Sequence, residues 1–277
     1  MNKVFEDNHN LKVEQPVMMK IEKVVDEAKD TKTFVFNGCL NATPGQFVNI
    51  WIPGLDEKPY SISFQQNGRF AITCFAVGPF SRKLNTMKPG DYVGIRGPYG
   101  KGFTLKRGNV ALIGGGCGTA PLAFLADELA KIGSNVDFII GARTKELLLY
   151  EKRFSNYAGG RVRMHIATDD GSRGFKGFST GLFEKLLNEK RIDFVYICGP
   201  EMMMKKAIDI CDKYNKNCEI SIERYMKCGI GICGSCCIDN LGIRICTEGP
   251  VFDKEIVKKM FEFAKYKRDA SGRKFAL

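Results

Sequence analysis

Between Glu223 and Cys246 four cysteines, Cys228, Cys233, Cys236 and Cys246, stand in a C-x4-C-x2-C-x9-C pattern. The first three share one short loop that also carries Gly229, Gly231 and Gly234. This is the plant-type spacing in which four thiolates hold a [2Fe-2S] cluster. A loop wrapped round a cluster takes unusual backbone angles and aims N–H groups at sulfur, and glycine does both at least cost. A zinc site would normally carry two C-x2-C knuckles, and this stretch has one. Inert core cysteines rarely crowd five into nineteen residues. Cys237, the fifth, follows Cys236 directly, so it points the other way along an extended chain and is not expected to be a ligand. The fourth ligand returns across a turn at Asp239-Asn240-Leu241-Gly242, which reads as a hairpin.

Two further stretches could bind ligands. Gly114-Gly115-Gly116-Cys117-Gly118 follows an apolar run and opens a helix-like one. Glycines there let backbone approach a pyrophosphate at a helix N-terminus. It is not a G-x-G-x-x-G, and a tight turn explains it equally well. Asp169-Asp170 and Cys198-Gly199-Pro200 fall at later strand ends, where open α/β sheets bind ligands; turn formation accounts for at least one of the aspartates. Lys58-Pro59-Tyr60-Ser61 combines a charge, a fixed backbone, a flat ring and a hydroxyl. Unaided, Tyr60 reads as packing.

The elements that must position these residues fall into two rhythms. From Met18 to Gly108 short β-like runs alternate with turns: Met19–Val25, Lys32–Phe36, Gln46–Ile52, Ser61–Phe64, Phe70–Phe75 and Tyr92–Arg96. Strands at this spacing without helices predict a small antiparallel β-barrel. From Asn109 strands alternate with helices: strands at Val110–Ile113, Val136–Ile140, Val162–Thr168, Phe194–Cys198 and Glu219–Ile222, helices at Thr119–Lys131, Lys145–Asn156, Thr180–Glu189 and Glu201–Tyr214. That pattern predicts a parallel α/β sheet. The expected organisation is a barrel over 17–108, an α/β domain over 109–222, a cluster module over 223–252 and a C-terminal tail over 253–277, with Asp253–Lys267 as a helix. Residues 1–16 read as a loose extension.

Composition bounds the rest. The chain has 277 residues, 44% of them hydrophobic, enough for two domains and a small module. It has no run of 18 apolar residues, so no membrane span is expected. The N-terminus lacks the apolar stretch of a signal peptide. Eleven cysteines with one dense cluster fit a reducing cytoplasm. Against 31 acidic residues stand 42 Lys and Arg, a net charge of +11. The charge is spread along the chain and reads as solvated surface rather than a nucleic-acid face. Only two histidines occur, His9 and His165, which argues against histidine triads and multi-histidine metal sites.

The order of these pieces resembles the ferredoxin–NADP reductase superfamily, flavin barrel first and nicotinamide domain second. Lys58-Pro59-Tyr60-Ser61 resembles its Arg-Pro-Tyr-Ser flavin motif, with Lys58 in place of the bidentate arginine. Thr73-Cys74-Phe75 and Gly78-Pro79-Phe80-Ser81 resemble its second flavin contact, with Phe80 where a glycine is usual. The resemblance thus implies FAD at Lys58, Pro59, Tyr60, Ser61, Thr73, Phe75, Phe80 and Ser81. Gly114–Gly118 with Thr119, Ala120 and Pro121 looks like G-G-G-x-G-x-x-P, and Cys198-Gly199-Pro200 like its Cys-Gly-Pro. These imply NAD at Gly114, Gly115, Gly116, Gly118, Thr119, Asp170, Cys198, Gly199 and Pro200. Arg143 and Lys145 could meet a 2′-phosphate or be plain surface charges; NAD is the family expectation.

The cysteine tail with Gly249-Pro250-Val251-Phe252 narrows the resemblance to electron-transfer subunits of dihydroorotate dehydrogenase B, archaeal forms in particular, over residues 18–255. The resemblance implies FAD and [2Fe-2S] in this chain and a catalytic partner subunit holding FMN. It further implies two copies of each subunit, and electrons passing from dihydroorotate to NAD⁺ in pyrimidine synthesis. The apolar loop Gly229–Ile232 is then a candidate docking face, or simply shielding for the cluster. Subunits of cytoplasmic hydrogenases, sulfite reductases and ferredoxin–NAD(P) oxidoreductases carry similar tails. A zinc-stabilised binding protein is the rival of a different class.

Overall fold

The computed structural model describes residues 15–155 and 157–277. His9 and nearly all of the expected N-terminal extension lie outside the described residues.

Six strands form the first unit: β1 (Val17–Ala28), β2 (Thr31–Asn37), β3 (Phe47–Ile52), β4 (Asp56–Gln66), β5 (Arg69–Phe75) and, after helix α1 (Pro79–Thr86), β6 (Tyr92–Tyr99). They close into a barrel in the order β1-β2-β5-β4-β3-β6, and every pairing is antiparallel. Alternation does the folding. Val48, Ile50 and Ile52 of β3 enter the barrel core with Phe34, Phe36 and Phe70. Asn67 and Gly68 both take left-handed angles, φ 53° and 69°, the two-residue turn that a β4–β5 hairpin needs. Helix α1 departs from the helix-free expectation. Pro79 starts it, the Ser81 hydroxyl closes its first turn, and Phe80 and Leu84 bury one face. Eight residues give too few periods to be read as a helix from sequence.

The second unit runs β7 (Asn109–Gly115), α2 (Thr119–Lys131), β8 (Asn135–Ala142), α3 (Glu151–Phe154), β9 (Val162–Thr168), β10 (Phe175–Lys176), α4 (Ser179–Glu189), β11 (Phe194–Cys198), α5 (Glu201–Lys213) and β12 (Cys218–Ser221). The predicted helix over Lys145–Asn156 is not formed as such. Its described part is a 3-10 turn at Lys145–Leu147 and the single turn α3, with Tyr150 between them at φ 59°. The cause is burial. Leu148, Leu149 and Tyr150 are all inside, a run no single helix face can hide.

The last stretch holds α6 (Ile245–Glu248), β13 (Val251–Asp253), α7 (Lys254–Lys259) and a small hairpin, β14 (Tyr266–Arg268) with β15 (Lys274–Ala276). The expected helix over Asp253–Lys267 is therefore six residues long. It ends before Ala264, whose φ is 56°, and Asp239 draws the rest back by bonding the Tyr266 hydroxyl at 3.0 Å and the Lys274 ammonium at 3.1 Å.

One sheet joins the last two stretches, in the order β10-β9-β8-β7-β11-β12-β13. Its strands are parallel except β13, which runs antiparallel to β12. Strand order reverses between β7 and β11, so the crevice for a ligand opens at their carboxyl ends. No helix among the described residues is long and apolar enough to cross a membrane.

His165 serves this sheet. Its Nε2 lies 2.7 Å from the Asp137 carboxylate, which also takes Lys190 at 2.7 Å and Arg163 at 3.2 Å while 1% exposed. Burial pushes the Asp137 carboxyl up, but its hydrogen bonds with His165, Arg163 and Lys190 together hold it well below the usual carboxylate range. A depressed folded-state pKa stabilises the fold above the unfolded value of about 3.9 and ceases to do so as pH falls toward the folded one. Urea unfolding of Asp137→Asn against the parent should give a midpoint deficit that is full at pH 7 and shrinks steadily below about pH 4; a deficit independent of pH would exclude this origin.

Candidate redox site

The carboxyl ends of β7 and β11 touch. A Cβ on Gly118 would lie 2.5 Å from the Cys198 carbonyl carbon and the Gly199 nitrogen, and one on Gly115 would lie 2.6 Å from Met203 Sδ. These glycines first serve the close approach of two loops. Gly116 is different: its φ is 53° and nothing lies within 4 Å of where its Cβ would be. Directly after the loop, the Thr119 hydroxyl is buried at the start of α2 with no partner from the chain. Open space above Gly116 and an orphaned hydroxyl at a helix start fit a bound nucleotide. Asp170 also sits at a strand end, but its Oδ1 accepts from the Ser172 N–H and hydroxyl at 2.9 and 2.7 Å and so builds the turn.

Tyr60 faces this crevice from the barrel. Its hydroxyl lies 3.4 Å from Cys74 Sγ, its ring stacks on Phe80 at 6.2 Å, and burial raises its phenol well above the ordinary value, with Cys74 and Cys117 adding to the effect. Burial pushes the thiol of Cys74 to about 11 and that of Cys198 to about 12, and the Glu223 carboxylate adds to the rise at Cys198; Cys117, on the glycine loop, is exposed. The flavin-like motif, the glycine loop and the Cys-Gly-Pro turn therefore converge.

Several residues expected at the flavin also make contacts within the chain, Thr73 most of all. Its hydroxyl is committed to Thr33 at 2.7 Å, Tyr150 at 2.6 Å and Ser63 at 3.1 Å, which fills its hydrogen-bonding capacity. Phe80 is 5% exposed and backs Tyr60 from within the barrel core. The Ser81 hydroxyl accepts the Val77 and Gly78 N–H groups at 2.9 Å each, which shapes the loop. Lys58 pairs with Asp56, and its ammonium lies 5.5 Å from the Tyr225 ring. Pro59, Ser61 and Phe75 are half-buried on strands β4 and β5. Glu223, Arg224 and Tyr225 lie just ahead of Cys228, and that position is the signal the sequence offers for them.

The four cysteines gather as two pairs. The Cys233 N–H points at Cys228 Sγ at 3.5 Å, and the Cys246 N–H at Cys236 Sγ at 3.4 Å. Gly229, Gly231 and Gly234 all take left-handed angles near 70–79°, the strain glycine was expected to absorb. The turn forms as expected, with Cys237 bridged to Arg244 and the Ile238 N–H bonded to the Ile243 carbonyl at 2.8 Å. Cys228 and Cys233 lie toward the surface, while Cys236 and Cys246 are 3% and 2% exposed. Burial opposes ionisation at Cys233, but bonds from Ser235 and the Cys228 side outweigh it and bring the thiol down to about 6. Burial and the neighbouring Cys236 push Cys246 up to about 12. Among the described residues no three His, Cys, Asp or Glu side chains converge on one metal-ion position. Paired thiols with N–H groups aimed at sulfur fit a two-iron cluster.

Barrel, switch-point crevice and cysteine module together define an iron–sulfur flavin reductase of the ferredoxin–NADP reductase class. Comparison with known proteins narrows this. Residues 223–258 match the family described as the iron-sulfur cluster binding domain of dihydroorotate dehydrogenase B, and residues 112–209 match the oxidoreductase NAD-binding domain. A probable dihydroorotate dehydrogenase B (NAD⁺) electron transfer subunit of Methanocaldococcus jannaschii is 45% identical over 95% of this chain and 99% of the relative. Its counterpart in Methanothermobacter thermautotrophicus is 43% identical over 94% and 97%. Among solved structures, an NADH-dependent reduced ferredoxin–NADP oxidoreductase superposes with a TM-score of 0.77 at 28% identity, over 89% of this chain and 94% of that one. A Neisseria gonorrhoeae ferredoxin NADP⁺ reductase shares the fold at TM-score 0.63 and 19% identity, over 73% and 92%. The chain belongs to the family of dihydroorotate dehydrogenase B electron-transfer subunits.

The cysteine assignment is directly testable. Cys237→Ser should retain the parent's iron and sulfide content and visible spectrum, whereas Cys236→Ser should lose most of both. Equal loss from the two variants would remove Cys237 from its non-ligand role.

Proposed function

We propose that this chain takes electrons from the FMN of a dihydroorotate dehydrogenase catalytic subunit and delivers them to NAD⁺, in the synthesis of UMP. The observation that carries the reading is the meeting of three motifs around one crevice: Tyr60 from the barrel, Gly116 with Cys198 at the switch point, and the cysteine module seated against strand β3. When bound, the cluster supplies one-electron transfer and FAD converts single electrons to hydride. The residues of the chain hold and orient. Cys228, Cys233, Cys236 and Cys246 are the ligands. Tyr60, Ser61, Pro59 and Lys58 carry the flavin, with Phe80 and Ser81 shaping its pocket. Gly116, Thr119, Cys198 and the adjoining Gly199 and Pro200 receive the nicotinamide nucleotide. In this reading 17–108 is the flavin unit, 109–222 the nicotinamide unit and 223–252 the cluster module. The working assembly is two copies of each subunit, in the cytoplasm.

A second reading is favoured by the 28% identity to the NADH-dependent reduced ferredoxin–NADP oxidoreductase: the same relay fed by ferredoxin. One experiment separates them. The chain is prepared anaerobically, analysed for iron, sulfide and FAD, and mixed with its FMN-bearing partner, dihydroorotate and NAD⁺. About two irons and one FAD per chain, with NADH formed only when both subunits are present, is the expected result. Full cofactor content without dihydroorotate-dependent NADH would move the function to the ferredoxin-linked reading, and zinc without flavin would reject both.

The docking face follows from exposure. Ile230 is 36% and Ile232 80% exposed on the loop that carries Cys228 and Cys233. An apolar side chain left in water beside a redox centre suits a partner's core contact. Replacing Ile230 or Ile232 by Glu should weaken complex formation about 10-fold or more, as loss of a central apolar contact does. Unchanged affinity in both variants would reduce the loop to shielding.

A further inference from the structure

Strand β3 has two faces. Val48, Ile50 and Ile52 point into the barrel. Phe47 points the other way, into the apolar core that holds Cys236, Cys246, Ile238 and Ile245, and Asn49 shares its alternation. An outward-facing Asn on a barrel strand belongs in water. Here it is 1% exposed, because the segment leading into the cluster loop lies over it. Its Nδ2 donates to the Lys227 carbonyl at 3.3 Å, the residue immediately before Cys228. Its Oδ1 is buried with no partner from the chain. The next glycine fits around it: a Cβ on Gly229, whose φ is 78°, would lie 3.3 Å from Asn49 Nδ2 and 3.1 Å from the Tyr99 ring. Across the strand pair Asn49 stands opposite Pro59, and its neighbour Phe47 opposite Ser61. One side chain thus touches the root of the first cluster ligand from the strand that lies beside the Pro-Tyr-Ser motif.

A buried amide with one unpaired acceptor is costly, and an apolar side chain of the same shape would avoid that cost. Packing alone therefore does not account for Asn49. We propose that Asn49 is a positioning residue that clasps the Cys228 arm to the flavin strand and so sets the electronic contact between cluster and FAD. Leu has nearly the same shape and no donor. Asn49→Leu should leave folding intact or improve it, yet free the arm at Lys227. The inference rests on the reading of this chain as carrier of both centres.

The test uses the full chain with its cofactors. NADH delivers two electrons and a proton to the flavin; one electron then passes to the cluster and the other stays on the flavin. Parent, Asn49→Leu and Asn49→Asp are compared in thermal midpoint, iron and FAD content, the EPR signal of the dithionite-reduced cluster, and the rates at which NADH bleaches flavin and cluster absorption. For Asn49→Leu we expect a midpoint at or above the parent's, full cofactor content and flavin bleaching within twofold. Its EPR signal should shift or broaden, and its cluster bleaching should slow about 10-fold, the scale on which outer-shell partners act on a metal centre. Asn49→Asp, which also loses the donor and sets a carboxylate beside the Lys227 carbonyl, should give the same electronic change with a lower midpoint. An unaltered EPR signal with cluster bleaching within twofold in both variants would overturn the proposal and leave Asn49 a packing residue. A parent without iron or without FAD would instead overturn the underlying reading.

Discussion

A buried ion triad holds the relay together. Arg224, four residues before Cys228, reaches Glu201 through Nη1 at 2.6 Å and Glu262 through Nε at 2.5 Å, and all three side chains are essentially inaccessible. Each partner belongs to a different part of the site. Glu201 opens α5 directly after Cys198-Gly199-Pro200. Glu262 precedes the C-terminal hairpin and also takes the Asp239 N–H of the cluster turn at 3.4 Å, while Glu201 takes the Ala264 N–H at 2.7 Å. The nicotinamide side, the root of the cluster loop and the chain's end are thereby fastened at one point. Removing one partner of such a buried set costs about 3–5 kcal/mol, because the remaining charges are left uncompensated. An apolar triad could be as stable, but it would fix no register between three separate segments.

The same principle recurs where the barrel meets the sheet. Tyr150 sits at φ 59°, unfavourable for a bulky residue, fully buried, with its hydroxyl on Thr73 of β5. Arg153, one short turn further on, donates to the Ser63 carbonyl of β4 at 3.0 Å and pairs with Asp127 of α2. These bonds cross from one unit to the other. The module is likewise fused to the barrel: the Lys101 N–H meets the Gly249 carbonyl at 2.5 Å, and Gly100 has no room for a side chain against that same carbonyl. Polar bonds fix orientation where apolar contact would allow sliding.

Much of this was legible in the sequence, and the reasons for the rest are physical. Long periodic elements read well; β9, β11 and α2 begin and end where their patterns do. Short elements did not. Helix α1 offers two turns, and the run Leu148–Tyr150 hides on all sides through tertiary packing that no local period records. The cysteine spacing led to two thiol pairs because ligand chemistry is local. Thr73 is hard to read because a strand residue's hydroxyl can face either a ligand or a neighbouring unit, and it meets Tyr150, seventy-seven positions later. The roles of Asn49 and Arg224 are pairwise and long-range, and nothing in their immediate sequence reports a partner.

The charges around the crevice are placed with the same economy. Burial keeps the thiols of Cys74 and Cys198 neutral at physiological pH, since they are raised to about 11 and 12. A neutral, weakly solvated lining adds no fixed charge beside a flavin or nicotinamide, whose electronics respond to charge at close range. Close by, the Lys267 ammonium lies 3.7 Å from Glu201 and 3.8 Å from Glu223, between the two carboxylates. The buried ion sets around Asp137 and Arg224 hold the frame. A relay needs distances held constant more than it needs groups that exchange protons, and this chain puts its costly buried polar contacts at the joints between units.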